Sequence, residues 1–163
     1  MTTSDSYRIG VDALQFFGAE PSEQLRSYRR LNAVSQPNFF PQKRDEDLGC
    51  DYFFGVACVF KTFAGSLSDK FLSAEDADHL EDFNHRLNVF MQDGTAAEWS
   101  EAGVVEGIVW QALRDNARQA LDQLGEPVAR EAAIFDIDAL IDPDEFRTTA
   151  AAKTLLATRT SSD

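Results

Sequence analysis

Asp76, His79, Asp82 and His85 recur at every third position, a pattern that could offer metal ligands from one helix. A three-residue step drifts by about 60° per repeat on an α-helix, so four such side chains fan across half its circumference. The chain has only these two histidines, and no second segment carries a matching Glu or His pair. The expected reading is a solvated acidic face. Asp136, Asp138, Asp142 and Asp144 suggest a calcium loop, but its fifth, sixth and twelfth positions would be Leu140, Ile141 and Arg147. A loop of that kind needs an oxygen ligand, Gly and Glu there. Cys50 and Cys58 sit among Phe, Tyr and Val without a metal-binding spacing and read as buried structural thiols. Eight residues apart on one helix, they would lie about 12 Å apart along its axis, too far for a disulfide. No GxSxG, phosphate-binding GxxxxGK[ST] or dinucleotide GxGxxG motif occurs. No catalytic residue, metal or cofactor is expected, and nothing points to an enzyme.

The chemistry that remains is cationic. Up to Arg44 the chain holds six basic and four acidic side chains; beyond it, nine basic and twenty-four acidic. A net charge of −13 thus hides a weakly basic start and a strongly acidic remainder. At about 100° per residue, Arg26, Arg29 and Arg30 share one side of a helix, while Leu25, Tyr28 and Leu31 share the other. One face could pack while the other offers guanidinium groups to phosphates or guanine edges. Lys43 and Arg44 could grip the flanking backbone.

The elements that would position these groups are mainly helical. Gly10–Phe17 has helical spacing, Gly18-Ala19-Glu20 breaks it, and Pro21 suits the first turn of a second helix ending near Asn32. Asn38–Pro41 has wing character. Asp45 caps a third helix to about Phe63, apolar on most faces and therefore central to the core. Ser73 with Asp76 opens a helix to about Met91. A long amphipathic helix runs from about Ala97 to Leu124. Trp99, Val104, Val105, Ile108, Val109 and Trp110 make it apolar over a wide arc, as an ordinary core or a self-association surface would require. Residues 132–138 alternate as one strand, and Asp142-Pro143 starts a last helix.

Tyr7, Ile9, Gly10, Ala13, Gly18, Leu25, Arg26, Tyr28, Arg30 and Leu31 resemble the opening of MerR-type winged helix-turn-helix proteins and their phage excisionase and packaging relatives. In these a strand-like YxIG precedes a helix, a turn and a second helix written roughly LRYYERLGLL. The resemblance covers about the first 45 residues and implies double-stranded DNA as partner. Arg26 and Tyr28 would touch the DNA backbone; Ser22, Glu23 and Gln24 would sit by the groove; Arg29, Arg30, Lys43 and Arg44 would add cationic contacts. The sequence departs from the family at Asn32, in place of Gly, and in a short wing.

The expected architecture is a winged helix-turn-helix over 1–65 and an acidic helical domain over 66–163, with one short strand near 132–138. The C-terminal part would dimerise or bind a protein partner. No apolar run approaches the roughly 20 residues that span a bilayer, and no secretory leader is visible, so a cytoplasmic setting is expected. The expected function is DNA-binding transcriptional regulation or phage-type DNA recognition. The alternative is an acidic protein–protein interaction module, an anti-repressor or adaptor.

Overall fold

The computed structural model describes residues 2–32, 48–73, 75–95 and 97–141. The expected wing, Lys43, Arg44 and the helix after Asp142 lie outside them. Among the described residues the fold is helical, without strands: α1 (Thr3–Gly18), α2 (Pro21–Asn32), α3 (Leu48–Ser68), α4 (Asp78–Asp93), α5 (Glu101–Glu106), α6 (Ile108–Leu124) and the short α7 (Ile137–Leu140).

α1 starts earlier than its apolar periodicity suggests because Thr2 and Asp5 form a capping box. The Asp5 amide donates to the Thr2 hydroxyl oxygen at 3.1 Å, and the Thr2 amide donates to the Asp5 carboxylate at 3.2 Å. Tyr7, Ile9 and Gly10 are therefore helical rather than a strand-like lead-in. At Gly10 α1 and α3 approach closely: a Cβ there would stand 3.1 Å from the Phe63 carbonyl oxygen and 3.2 Å from the Leu67 side chain. α3 fills the centre, with every residue from Tyr52 to Phe60 buried. α1 packs on α3 and on α6, and α6 packs on α4. Aromatic rings join these helices into one core, with Trp110 contacting the rings of Phe16, Phe17, Phe53, Phe90 and Trp99. The expected boundary at residue 65 falls inside α3, and one apolar core spans both of its sides.

Two further expectations change. The anticipated long helix 97–124 is broken at Gly107, whose backbone is extended (φ −75°, ψ 138°). Ser100 caps α5 by accepting from the Gly103 amide, and the Gly107 amide closes the turn on the Gly103 carbonyl at 2.8 Å. A Cβ on Gly103 would lie 2.3 Å from the Glu98 carbonyl oxygen, and one on Gly107 would lie 2.4 Å from the Gly103 carbonyl oxygen. Glycines four residues apart thus permit a tight corner that other residues would obstruct. Near the other end, Ser73 accepts from the Asp76 amide in a turn before α4, which itself begins at Asp78 without a side-chain cap.

Past α6 the chain becomes a strap. Gly125, with φ 73°, ends the helix in the left-handed conformation, and the Glu126 amide reaches back to the Leu121 carbonyl. The Glu126 carboxylate then accepts from Tyr7 at 3.0 Å and pairs with Arg8 at 3.3 Å, while Gln15 donates to the Pro127 carbonyl. Nearby, half-buried Asp12 has its carboxyl raised by burial and by Glu126, against an opposing pull from Arg8. A carboxyl raised on folding stabilises the fold only while protonated, and that contribution is lost as pH rises through its folded value. Asp12→Asn should therefore raise the melting temperature at pH 7, and the difference should vanish below the ordinary carboxylate range; thermal scans at the two pH values check it.

Candidate functional site

The helix expected to read DNA is held from both sides by the protein itself. Gln24 is fully buried beside the end of α1, where unpaired carbonyls need donors. Its amide nitrogen donates to the Phe16 carbonyl at 2.9 Å and the Phe17 carbonyl at 3.2 Å. Its amide oxygen accepts from the buried Arg114 through Nε at 3.3 Å and Nη2 at 3.0 Å. Arg114 also donates to the Val104 carbonyl and to Gln111, so among the described residues its hydrogen bonds go to neutral oxygens. Burial lowers its affinity for the proton, with the Glu20 carboxylate opposing. Arg118 completes the junction, donating to the Gly18 carbonyl at 2.7 Å and pairing with Glu20 at 2.9 Å.

The opposite side of α2 is occupied by the strap. Arg26 donates to the Ala132 carbonyl at 2.9 Å and pairs with Glu23, whose carboxylate also accepts from the Ala132 amide at 3.2 Å. The Arg26 hydrogen bond holds the Glu23 carboxyl below its ordinary value. Ser27, fully buried, must use its one proton on the Ala133 carbonyl at 2.6 Å, so Tyr52 donates to it at 2.6 Å and accepts from the Phe135 amide at 3.2 Å. The alternation of residues 132–138 thus reflects burial of Ala132, Phe135 and Ile137 with Ile134 outward. The Ala132 N–H and C=O, the Ala133 C=O and the Phe135 N–H are met by side chains of α2 and α3 instead of a neighbouring strand. That is why no strand forms there.

The expected DNA contacts are distributed accordingly. Ser22 is exposed, Glu23 and Arg26 are engaged with the strap, and Gln24 is interior. Tyr28 is 5% exposed, its ring among Tyr52 and Phe53. Arg29 is exposed and pairs with Glu101 at 3.1 Å. The Arg30 side chain, Lys43 and Arg44 lie outside the described residues.

A second surface has a different character. α4, the turn at 97–99 and the start of α6 border an apolar hollow of about 640 Å³, with Phe90, Val109, Ala112 and Leu113 among its lining. A neighbouring hollow of about 420 Å³ lies against α5. The two share Glu98, Ile108 and Val109, so they form one trough. Ile108, the first residue of α6, is 87% exposed, with Val105 (51%) and Val89 (44%) also open. The Gly107 corner sets this exposure. A continuous helix through residue 107 would direct Ile108 differently relative to Val104, which is buried. The floor is firm: Phe90 stacks on Trp99 at 4.0 Å, and Trp110 Nε1 donates to the Glu98 carbonyl at 2.9 Å. Glu98 in turn caps its own turn, its carboxylate accepting from the Thr95 amide and hydroxyl. The apolar arc from Trp99 to Trp110 signals this surface in the sequence, but not which members face outward. Val89, from α4, carries no such signal.

Among the described residues, no three His, Cys, Asp or Glu side chains gather as metal ligands. Outside α2, raised or lowered proton affinity falls on Tyr7, Asp12, Tyr52, Cys58, Lys61, Asp78 and Arg114, of which Tyr7 and Asp12 share Glu126 and Arg8 as neighbours. No helix of the described residues is long and apolar enough to cross a membrane. No protein-family model, curated protein or solved structure matches the chain.

Proposed function

We propose that this protein is a protein–protein interaction module, an adaptor or anti-repressor in kind, whose working surface is the trough beside α4, α5 and α6. The observation that carries this reading is Ile108: a large aliphatic side chain, almost fully exposed, between two apolar hollows on a rigid aromatic floor. Exposed apolar surface of this kind, rimmed by charges, is what a partner's side chains cover.

DNA docking through a winged helix-turn-helix draws less support. That mode needs α2 to present side chains to a groove and to phosphates. Gln24 and Tyr28 instead face inward, Arg26 holds the strap, and Arg29 and Arg8 are paired with glutamates. Supplying phosphate contacts from Arg26 would require releasing residues 132–135.

A photo-crosslinking amino acid at position 108, with a second version at exposed position 22, tests the reading in the native host. The expected result is a discrete protein adduct from position 108 and none of that mass from position 22. Identical patterns from both positions, or no adduct from 108, would sink it.

A further inference from the structure

We infer that the trough takes a basic amphipathic helix; this rests on the docking reading and names the partner's chemistry. The lining and rim of the two hollows carry Asp82, Asp93, Glu98 and Glu106 against one permanent cation, Arg86, with His85 beside it. Glu98 borders both hollows, and its bonds to Thr95 hold its charge in place there. An apolar floor ringed by carboxylates complements a ligand with apolar anchors on one face and Lys or Arg on its flanks. Long basic side chains can lay their methylenes along Val89 and Ile108 while their charged ends reach the acids. A helix suits the shape, because anchors at i, i+3 or i+4 and i+7 span about 10 Å and can enter both hollows across Ile108. The net charge of −13 steers such a ligand toward the protein from a distance.

A second copy of this chain is the competing occupant. A two-fold contact would set each acidic rim against a like rim on a molecule of the same net charge, and like charges face to face cost binding energy. An acidic helix suffers the same repulsion.

The test uses the full-length protein and three fluorescein-labelled peptides of about 18 residues, roughly five helical turns. One has Leu at i, i+3, i+4 and i+7 with Lys elsewhere; the second replaces Lys with Glu; the third shuffles the Lys peptide so that no apolar face remains. Fluorescence anisotropy at about 0.15 M salt, near-physiological screening, should show the first binding at least about tenfold more tightly than either of the others. Ile108→Glu should weaken it at least about tenfold. The added carboxylate would by charge alone favour a Lys peptide, so that loss reports apolar contact. Equal binding of the Lys and Glu peptides, both lost in Ile108→Glu, would overturn the charge inference while leaving the docking reading standing. Equal binding of the shuffled peptide, or an unaffected Ile108→Glu variant, would overturn it as diffuse attraction. Sedimentation of the wild type as a dimer that Ile108→Glu splits would overturn it in favour of a second copy. Failure of the docking reading itself would appear separately, as loss of the position-108 adduct in the host.

Discussion

Replacing Gln24 with leucine should lower the free energy of unfolding by about 3–5 kcal/mol, the range seen when a buried charge loses its partner. Leucine is close in size to glutamine, so the cavity term is small and the effect is electrostatic. The Arg114 guanidinium would lose the oxygen that accepts from two of its nitrogens, and the Phe16 and Phe17 carbonyls would lose the amide donor that serves both. Urea denaturation of the two proteins measures this directly. Arg29→Ala is the useful control, because it removes an exposed ion pair with Glu101 and should cost no more than about 1 kcal/mol. The contrast also bears on function. On a groove-reading helix, Gln24 would be a surface residue, and the leucine variant would change stability by less than about 0.5 kcal/mol.

Trp110→Ala should be comparably damaging, at about 3–5 kcal/mol, as large aromatic truncations in cores are. Five aromatic rings lie against the indole, and its N–H holds the 97–99 turn through the Glu98 carbonyl. The milder Trp110→Phe isolates the polar part by leaving the part-buried Glu98 carbonyl without that donor. Trp99→Phe is its counterpart: Trp99 Nε1 is the buried side-chain nitrogen without a hydrogen-bond partner among the described residues. Removing an unsatisfied group is cheaper than breaking a made bond. Denaturation should therefore rank Trp110→Phe as the more destabilising of the two, and the opposite order would contradict this account of the aromatic floor.

How far these features can be read from the chain depends on whether their causes are local. Pro21 at the first turn of α2 and the apolar character of α3 follow from local chemistry; α2 forms where its pattern places it, while α3 runs to Ser68, past the expected end near Phe63, and its expected cap Asp45 lies outside the described residues. The capping box at Thr2 and Asp5 is equally local, yet a YxIG reading of the next residues obscures it. The break at Gly107 is masked by the hydrophobic pattern around it; Gly103 and Gly107 four apart, with Ser100 three residues before the first, are the signal. The arginine face of α2 is a different matter. Periodicity puts Arg26 and Arg29 on one side of the helix, but what covers that side is residues 132–135 and Glu101, far along the chain. The charge asymmetry is subject to the same limit of reach. Among the described residues, Arg8 and Arg29 find their carboxylates in the acidic remainder of the sequence, so these two charges are not left facing outward alone. Ile134 and Ile108, both aliphatic and both exposed, cannot be told from core residues by composition alone.

The strap that closes over α2 also sets an order of events during synthesis. Arg26 and Ser27 bond to carbonyls 106 residues later. At a translation rate of roughly 5–20 residues per second, α2 waits on the order of 5–20 s for its covering to leave the ribosome. Over that interval Arg26, Ser27 and Tyr52 lack their partners on the strap, and the N-terminal helices can form only a partial core. The last contacts to close are thus among the most distant in sequence, which makes the clasp a late step of folding.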